Sequence, residues 1–279
     1  MQNGDAILGA IVGDIAGSRF EWCNLKSKDF TLLVGRGEED ADECCFTDDT
    51  VMTVAIAEAI LRWRKGSDKS YEALSSMAIT SMQKFGRRYP NAGYGGTFQR
   101  WLRDDHPRPY NSWGNGAAMR VSACGWAGQT VDEVKAMSRA VTKVSHNHSE
   151  GIKGAEATAV ATFLARTGKS KDEIRTVILR DYYPIDFTLD EIRPGYGFDV
   201  SCQGSVPHAL EAFFESDSFE DAIRNAISIG GDSDTIAAIA GAVAGAYYGI
   251  PAQIKAKVST FLDRQLAETL RAFKREFVS

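Results

Sequence analysis

The sequence predicts an all-α fold, and three observations carry that prediction. Apolar residues recur at three- and four-residue spacings, as they do along one face of a helix. Strand-like alternation is nearly absent, with Phe30–Val34 the one weak candidate. Helix-start patterns, a Ser, Thr or Asp placed before an apolar run, return along the whole chain. The 279 residues are 44% hydrophobic, enough for a sizeable core, and helices of ordinary length would number about a dozen. No Pro/Ser/Gly-rich linker interrupts residues 1–279, which therefore read as a single domain.

Taken in order, the first element is a Gly-rich helix with small residues four apart, Gly9–Gly13–Gly17. Next comes the helix Val51–Trp63, opened by Thr47-Asp48-Asp49-Thr50. After Thr130, the stripe Val131, Val134, Met137, Val141 and Val144 marks another helix. Ala155–Ala159 lies on a further small-residue face, and Ser170 with Glu173 and Ser218 with Asp221 read as capping boxes. Gly230-Gly231-Asp232-Ser233-Asp234-Thr235 introduces a Gly/Ala helix that carries Gly241–Gly245. Ile254, Val258, Phe261, Leu262, Leu266, Leu270, Phe273 and Phe277 form a longer helical stripe of the same kind as that after Thr130. Gly within a helix costs about 1 kcal/mol relative to Ala, so the small-residue faces imply helices crossing closely at the centre. Between helices lie irregular stretches at 17–50, 86–120, 145–152 and 181–205, lengths that usually carry function.

Composition excludes several classes. The net charge is −5 with both signs interleaved, and Arg271–Lys274–Arg275 reads as a solvated helix face, so nucleic acid is not the expected partner. The apolar run Thr235–Ile250 falls short of the roughly 20 residues that cross a bilayer, and reads as a core helix. Asp5 and the lack of a basic region near it do not read as a secretory leader. Cys23, Cys44, Cys45, Cys124 and Cys202 are odd in number and without a C-x-x-C pair, which points to reduced thiols in the cytoplasm. A cytoplasmic monomer is the expectation.

Two helix starts carry more acid than a cap requires. Asp and Thr are common where free N–H groups and the positive dipole end meet. One side chain suffices for that purpose, yet Asp48, Asp49, Asp232 and Asp234 stand beside Thr47, Thr50 and Thr235. Should the two starts converge, such a cluster repels itself unless cations neutralise it. Hard oxygen donors of this kind suit Mg²⁺ or Mn²⁺, and a shared carboxylate suits a two-metal clamp. Glu21, which follows the first helix, would by itself pass for a surface glutamate.

The run Tyr110-Asn111-Ser112-Trp113-Gly114-Asn115-Gly116 combines a hydroxyl, an amide, aromatic rings and bare glycine backbone. Successive N–H groups there can form a phosphate-binding nest, with Trp113 or Tyr110 stacked on a base. An isolated G-x-G is more often just a turn. His146 and His148, alternating on a loop, make poor chelators; ligand contact suits His146 and a surface position His148. Cys202 reads as a small buried thiol and not a nucleophile.

Together these segments resemble the ADP-ribosylglycohydrolase family. The likeness runs from Leu8–Gly9 to Ile250–Pro251 and rests on Gly13-Asp14…Gly17…Glu21, the Thr47–Thr50 turn, Gly114–Arg120, Ser145-His146 and the Gly231–Thr235 turn. The resemblance implies a single orthogonal all-α domain with two divalent cations, Mg²⁺ or Mn²⁺, in a central cleft. Thr47, Asp48, Asp49, Asp232, Asp234 and Thr235 would hold them. Glu21 matches the family's cleft glutamate and is the first candidate for proton transfer, with Asp48 and Asp49 next. Ser112, Trp113, Gly114, Asn115 and Gly116 would bind a diphosphate, and His146 would touch the ligand. The implied activity is release of ADP-ribose from a modified protein, with arginine as the expected linkage. An O-linked serine bond and a silent ADP-ribose-binding protein are the alternatives. Residues 181–205 match no pattern that specifies the target.

Overall fold

The computed structural model describes residues 7–35, 37 and 43–278, and among these finds fourteen α-helices and no strand. Asp5 and positions 38–42 of the first irregular stretch lie outside the described residues.

At the centre, α1 (Leu8–Gly17) lies backbone to backbone against α12 (Ser233–Tyr248). A Cβ placed on Gly13 would stand 2.0 Å from the carbonyl oxygen of Ala237, and one on Gly9 2.2 Å from that of Gly241. Any larger residue would force the helices apart, which is why the glycine spacing of the two sequences matches. Ile11, Val12 and Ile15 of α1 are wholly buried; such side chains contribute about 1.5–3 kcal/mol each. Around this pair pack α7 (Ser149–Arg166), α10 (Cys202–Phe214) and α11 (Phe219–Ser228). On the other side α2 (Asp48–Lys65) joins α1 to α3 (Tyr71–Arg88). The remaining helices are α4 (Gly96–Arg103), α5 (Ser122–Ala127), α6 (Val131–Thr142), α8 (Lys171–Asp181), α9 (Leu189–Ile192), α13 (Ala252–Ser259) and α14 (Arg264–Phe277). Ala159 also meets its expectation of close approach, since a Cβ on Gly125 of α5 would sit 2.5 Å from its carbonyl oxygen.

Three local expectations need correction. The stripe 254–277 is two helices, because Asp263 accepts from the Leu266 amide at 3.0 Å and starts α14 anew. Periodicity survives such a break when both halves face one core. Ser218 caps α11 by accepting from Asp221 N at 3.1 Å, but the Asp221 carboxylate takes the amide of Asp217, so no reciprocal box forms. The Ser170–Glu173 box is present, as is one not anticipated, Thr188–Glu191 on α9. Finally, Phe30–Val34 forms no strand, although Val34 O accepts from Cys44 N at 3.0 Å.

No described helix is long and apolar enough to cross a membrane, and the five cysteines are free.

Candidate active site

The α1–α12 contact brings distant acids together. A Cβ on Gly17 would lie 2.5 Å from the Cα of Asp234, so the bare backbone there lets the start of α12 settle against the end of α1. Asp14, buried in mid-helix, reaches across to the start of α2. It accepts from Thr47 N at 3.0 Å, Thr50 N at 2.9 Å and Thr47 Oγ1 at 2.6 Å. Thr47 Oγ1 in turn accepts from Asp49 N at 3.3 Å. The free N–H groups of α2 are thus met by Asp14 and Thr47, which relieves Asp48 and Asp49 of capping. Asp49 Oδ2 accepts from Thr235 Oγ1 at 3.1 Å, while Oδ1 is buried without a protein partner.

A similar economy holds at α12. Asp232 occupies its N-cap but makes no side-chain capping bond. The preceding Gly230 and Gly231 have φ of 72° and 74°, a turn that residues with a side chain rarely adopt. Asn24 Oδ1 fastens it by accepting from Gly231 N at 3.1 Å.

The carboxylates gather in two overlapping groups. One oxygen each from Asp14, Asp49 and Asp234 lie within 4.8 Å of one another, and so do oxygens from Glu21, Asp232 and Asp234. Asp234 belongs to both. Asp48 stands outside these groups, lining the same cavity opposite Gly93. Without counter-ions the acids resist ionisation. Burial raises Asp14 and Asp232, and holds Asp49 and Asp234 well above the usual carboxylate range. Burial, followed by the negative charges of Asp14 and Asp232, pushes Asp48 up to about 8. Burial, then Asp232 and Asp14, pushes Glu21 up to about 7. An all-oxygen donor set, an unpartnered Asp49 Oδ1 and acids held close together fit hard divalent cations.

The glycine loop forms the other wall. Gly114 bridges Ser201, Asn115 N donates to Val200 O at 2.7 Å, and Cys202 N donates to Trp113 O at 2.9 Å. The short pairing holds the loop rigid against the segment before α10. Asn115 Nδ2 donates to Asp232 Oδ2 at 2.6 Å and to Ser205 Oγ at 3.0 Å. Between loop and acids opens a cavity of about 640 Å³, within the range of small-molecule sites. Glu21, Asp48, Asp49, Asp232, Asp234 and Thr235 line it, as do Ser112 through Gly116 and His146. Thr47 is set back, turned to Asp14. Trp113 is 45% exposed at the rim, whereas the Tyr110 ring packs 5.6 Å from that of His146.

His148, expected at the surface, is half-buried and caps α7, its Nδ1 accepting from Glu150 N at 3.1 Å. Cys202 is buried behind the loop with its thiol pushed up by burial, as an inert thiol should be. Sequence reasoning did not single out Asp14 as a possible ligand, nor Arg120. The signal for both was available: a charge placed inside an otherwise apolar or small-residue run. An exposed stacked pair, Trp22 and Phe198 (centroids 4.9 Å apart), adds an aromatic rim with no marker in the sequence pattern.

Clustered acids from α1, α2 and the start of α12 stand beside a cavity with a glycine-loop wall on an all-helical fold. The chain belongs to the ADP-ribosylglycohydrolase family, whose profile matches residues 4–277, and is an enzyme of the glycohydrolase class. It is similar to human "ADP-ribosylhydrolase ARH3", 26% identical over 88% of this chain and 84% of that one. It is also similar to "ADP-ribosylarginine hydrolase Tri1" of Pseudomonas putida, 26% identical over 88% of this chain and 70% of that one. A solved structure described as an "ADP-ribosylglycohydrolase-related protein complex" superposes with a TM-score of 0.68. It shares 24% identity and covers 97% of this chain and 96% of its own, a likeness in fold.

Proposed function

We propose that this protein hydrolyses the N-glycosidic bond between ADP-ribose and arginine side chains of modified proteins, with two divalent cations, Mg²⁺ or Mn²⁺. The observation that carries the reading is the Asn115–Asp232 hydrogen bond, which makes the glycine loop and the acid cluster two walls of one cavity. A diphosphate on Ser112–Gly116 would then leave its attached ribose facing the acids. The loop offers room for it: a Cβ on Gly116 would meet nothing closer than His146 Nε2, at 3.4 Å. Trp113, partly exposed at the rim, would offer its ring to adenine.

Asp14, Asp49, Asp232, Asp234 and Glu21, with Thr47, Thr235 and Asp48 beside them, would hold the ions. When bound, these would supply Lewis-acid charge and orientation to the sugar hydroxyls. The chain's own work is positioning and proton transfer. Cleavage of the glycoside develops positive charge at the ribose anomeric carbon, which nearby carboxylates stabilise. The Glu21 carboxyl, on the cavity wall beside the other acids, would give a proton to the departing guanidine nitrogen and take one from attacking water. Asp48 or Asp49 takes that role should Glu21 serve chiefly as a ligand. The arginine linkage is supported by the name of the Pseudomonas relative. Incubation with arginine-, serine- and acid-linked ADP-ribosyl peptides tests it: release from the serine peptide alone would replace this linkage, and binding without release would make the protein a reader.

A further inference from the structure

Arg120 is the largest side chain wholly buried among the described residues, and it sits beside the cavity behind His146. Its Nη2 donates to Ser145 Oγ at 2.8 Å and lies 3.5 Å from His146 Nδ1. Ser145 Oγ lies 2.9 Å from the same Nδ1. A guanidinium has donors only. Ser145 therefore accepts from Arg120, and its own hydroxyl proton is left for His146 Nδ1. That nitrogen carries the lone pair. The opposite tautomer would leave the Ser145 hydroxyl proton without an acceptor among the described hydrogen bonds and bring two N–H groups together at Nη2 and Nδ1. A neutral imidazole so arranged keeps its one proton on Nε2. This atom faces the loop, 3.4 Å and 3.7 Å from where Cβ atoms of Gly116 and Gly114 would stand.

We propose that Arg120 and Ser145 are positioning residues that hold His146 as the neutral Nε2–H tautomer, a fixed donor to a diphosphate oxygen seated on the Ser112–Gly116 loop. The proposal rests on the function proposed above for the identity of the ligand, but the tautomer does not. Burial, helped by the Arg120 charge, keeps the imidazole well below its usual range. Around the ring, α4 presents Phe98, α7 presents Gly151, and the segments flanking the cavity present Tyr110, Arg120 and the loop glycines. Of these only Tyr110 and Arg120 titrate. Burial pushes Tyr110 up to about 12 and Arg120 down to about 10, so neither changes charge near neutral pH. The donor is thus constant where a free histidine would switch.

Nitrogen-15 NMR of the imidazoles in the ligand-free protein tests the relay directly. We expect His146 to show a protonated Nε2 and an unprotonated Nδ1 from about pH 5.5 to 8. Ser145→Ala should mix the tautomers and weaken ADP-ribose binding about fivefold. His146→Gln, which keeps an N–H near the Nε2 position, should bind more tightly than His146→Ala; a purely structural role for the ring would not order these two variants so. A proton on Nδ1 in the parent, or ordinary titration near neutrality, overturns the relay whatever the substrate. Equal ADP-ribose affinity for the parent and His146→Ala overturns the assigned donor role. If the parent binds no ADP-ribose while Nε2 keeps its proton, the proposed function fails, and the ligand assignment with it.

Discussion

Asn115 Nδ2 donates to Asp232 Oδ2 across 2.6 Å, joining two parts of the chain 117 residues apart. One side is a loop suited to a diphosphate; the other is an acid cluster suited to cations. Removal of a hydrogen bond to a buried charge typically costs about 1.5–3 kcal/mol. Asn115→Ala should therefore lower kcat/KM by about tenfold or more, with the helical circular dichroism signal unchanged. Unaltered steady-state kinetics would show that loop and acids act independently.

The ionisation of the acid cluster sets a pH dependence whose sign is definite. Glu21 near 7 and Asp48 near 8, with four more acids raised, bind protons in the metal-free folded state that the unfolded chain has already lost. Stability then falls as pH rises from the ordinary carboxylate range through these folded values. The gain in melting temperature on adding Mg²⁺ or Mn²⁺ to chelated protein should be larger at about pH 8 than at about pH 5. Comparing with and without ion at each pH cancels the contributions of other titrating groups. A gain that shrinks toward pH 8 would contradict the cation assignment.

Glu21→Gln preserves shape and removes a titrating carboxyl. Proton transfer of this kind is worth about 10²–10⁴-fold. Turnover on ADP-ribosyl-arginine should drop by about two orders of magnitude or more, with ADP-ribose affinity altered only a few-fold. Ion occupancy is measured on the same samples. Loss of occupancy together with turnover would make Glu21 a ligand and move the proton to Asp48 or Asp49.

Gly116→Val probes the cradle: Gly116 lines the cavity, its φ is not positive, and an added Cβ would meet His146 Nε2 no closer than 3.4 Å. Calorimetry should show clearly weaker ADP-ribose binding at nearly unchanged melting temperature. Equal affinity would remove this loop from the ligand site.

Much of this architecture was legible because the same residues serve packing and site. The glycines at 9, 13 and 17 announced a close helix crossing, and that crossing is what lays Asp234 beside Asp14. Doubled acids at the two helix starts exceeded what capping needs, and the structure shows why: Thr47 and Asp14 do the capping of α2. Asp14 itself was hidden by its position within an apolar helix, where periodicity marks a face but not the polar partner it meets. Arg120 was hidden in the same way, since only the fold brings it to Ser145 and His146. The break at Asp263 escaped because two helices on one core face share one apolar rhythm. The function class needed the family likeness; carboxylates and glycines alone fit several hydrolytic chemistries.

Cation-dependent release of ADP-ribose is read out by time-resolved release from an arginine-linked ADP-ribosyl peptide. Parent protein and Asp234→Asn are each assayed with Mg²⁺, with Mn²⁺ and after exhaustive chelation. We expect turnover by the parent with at least one ion, near-complete loss on chelation that is restored by adding the ion back, and almost none from Asp234→Asn at any ion concentration. Full turnover by chelated parent protein, or by Asp234→Asn without bound ion, would contradict cation dependence.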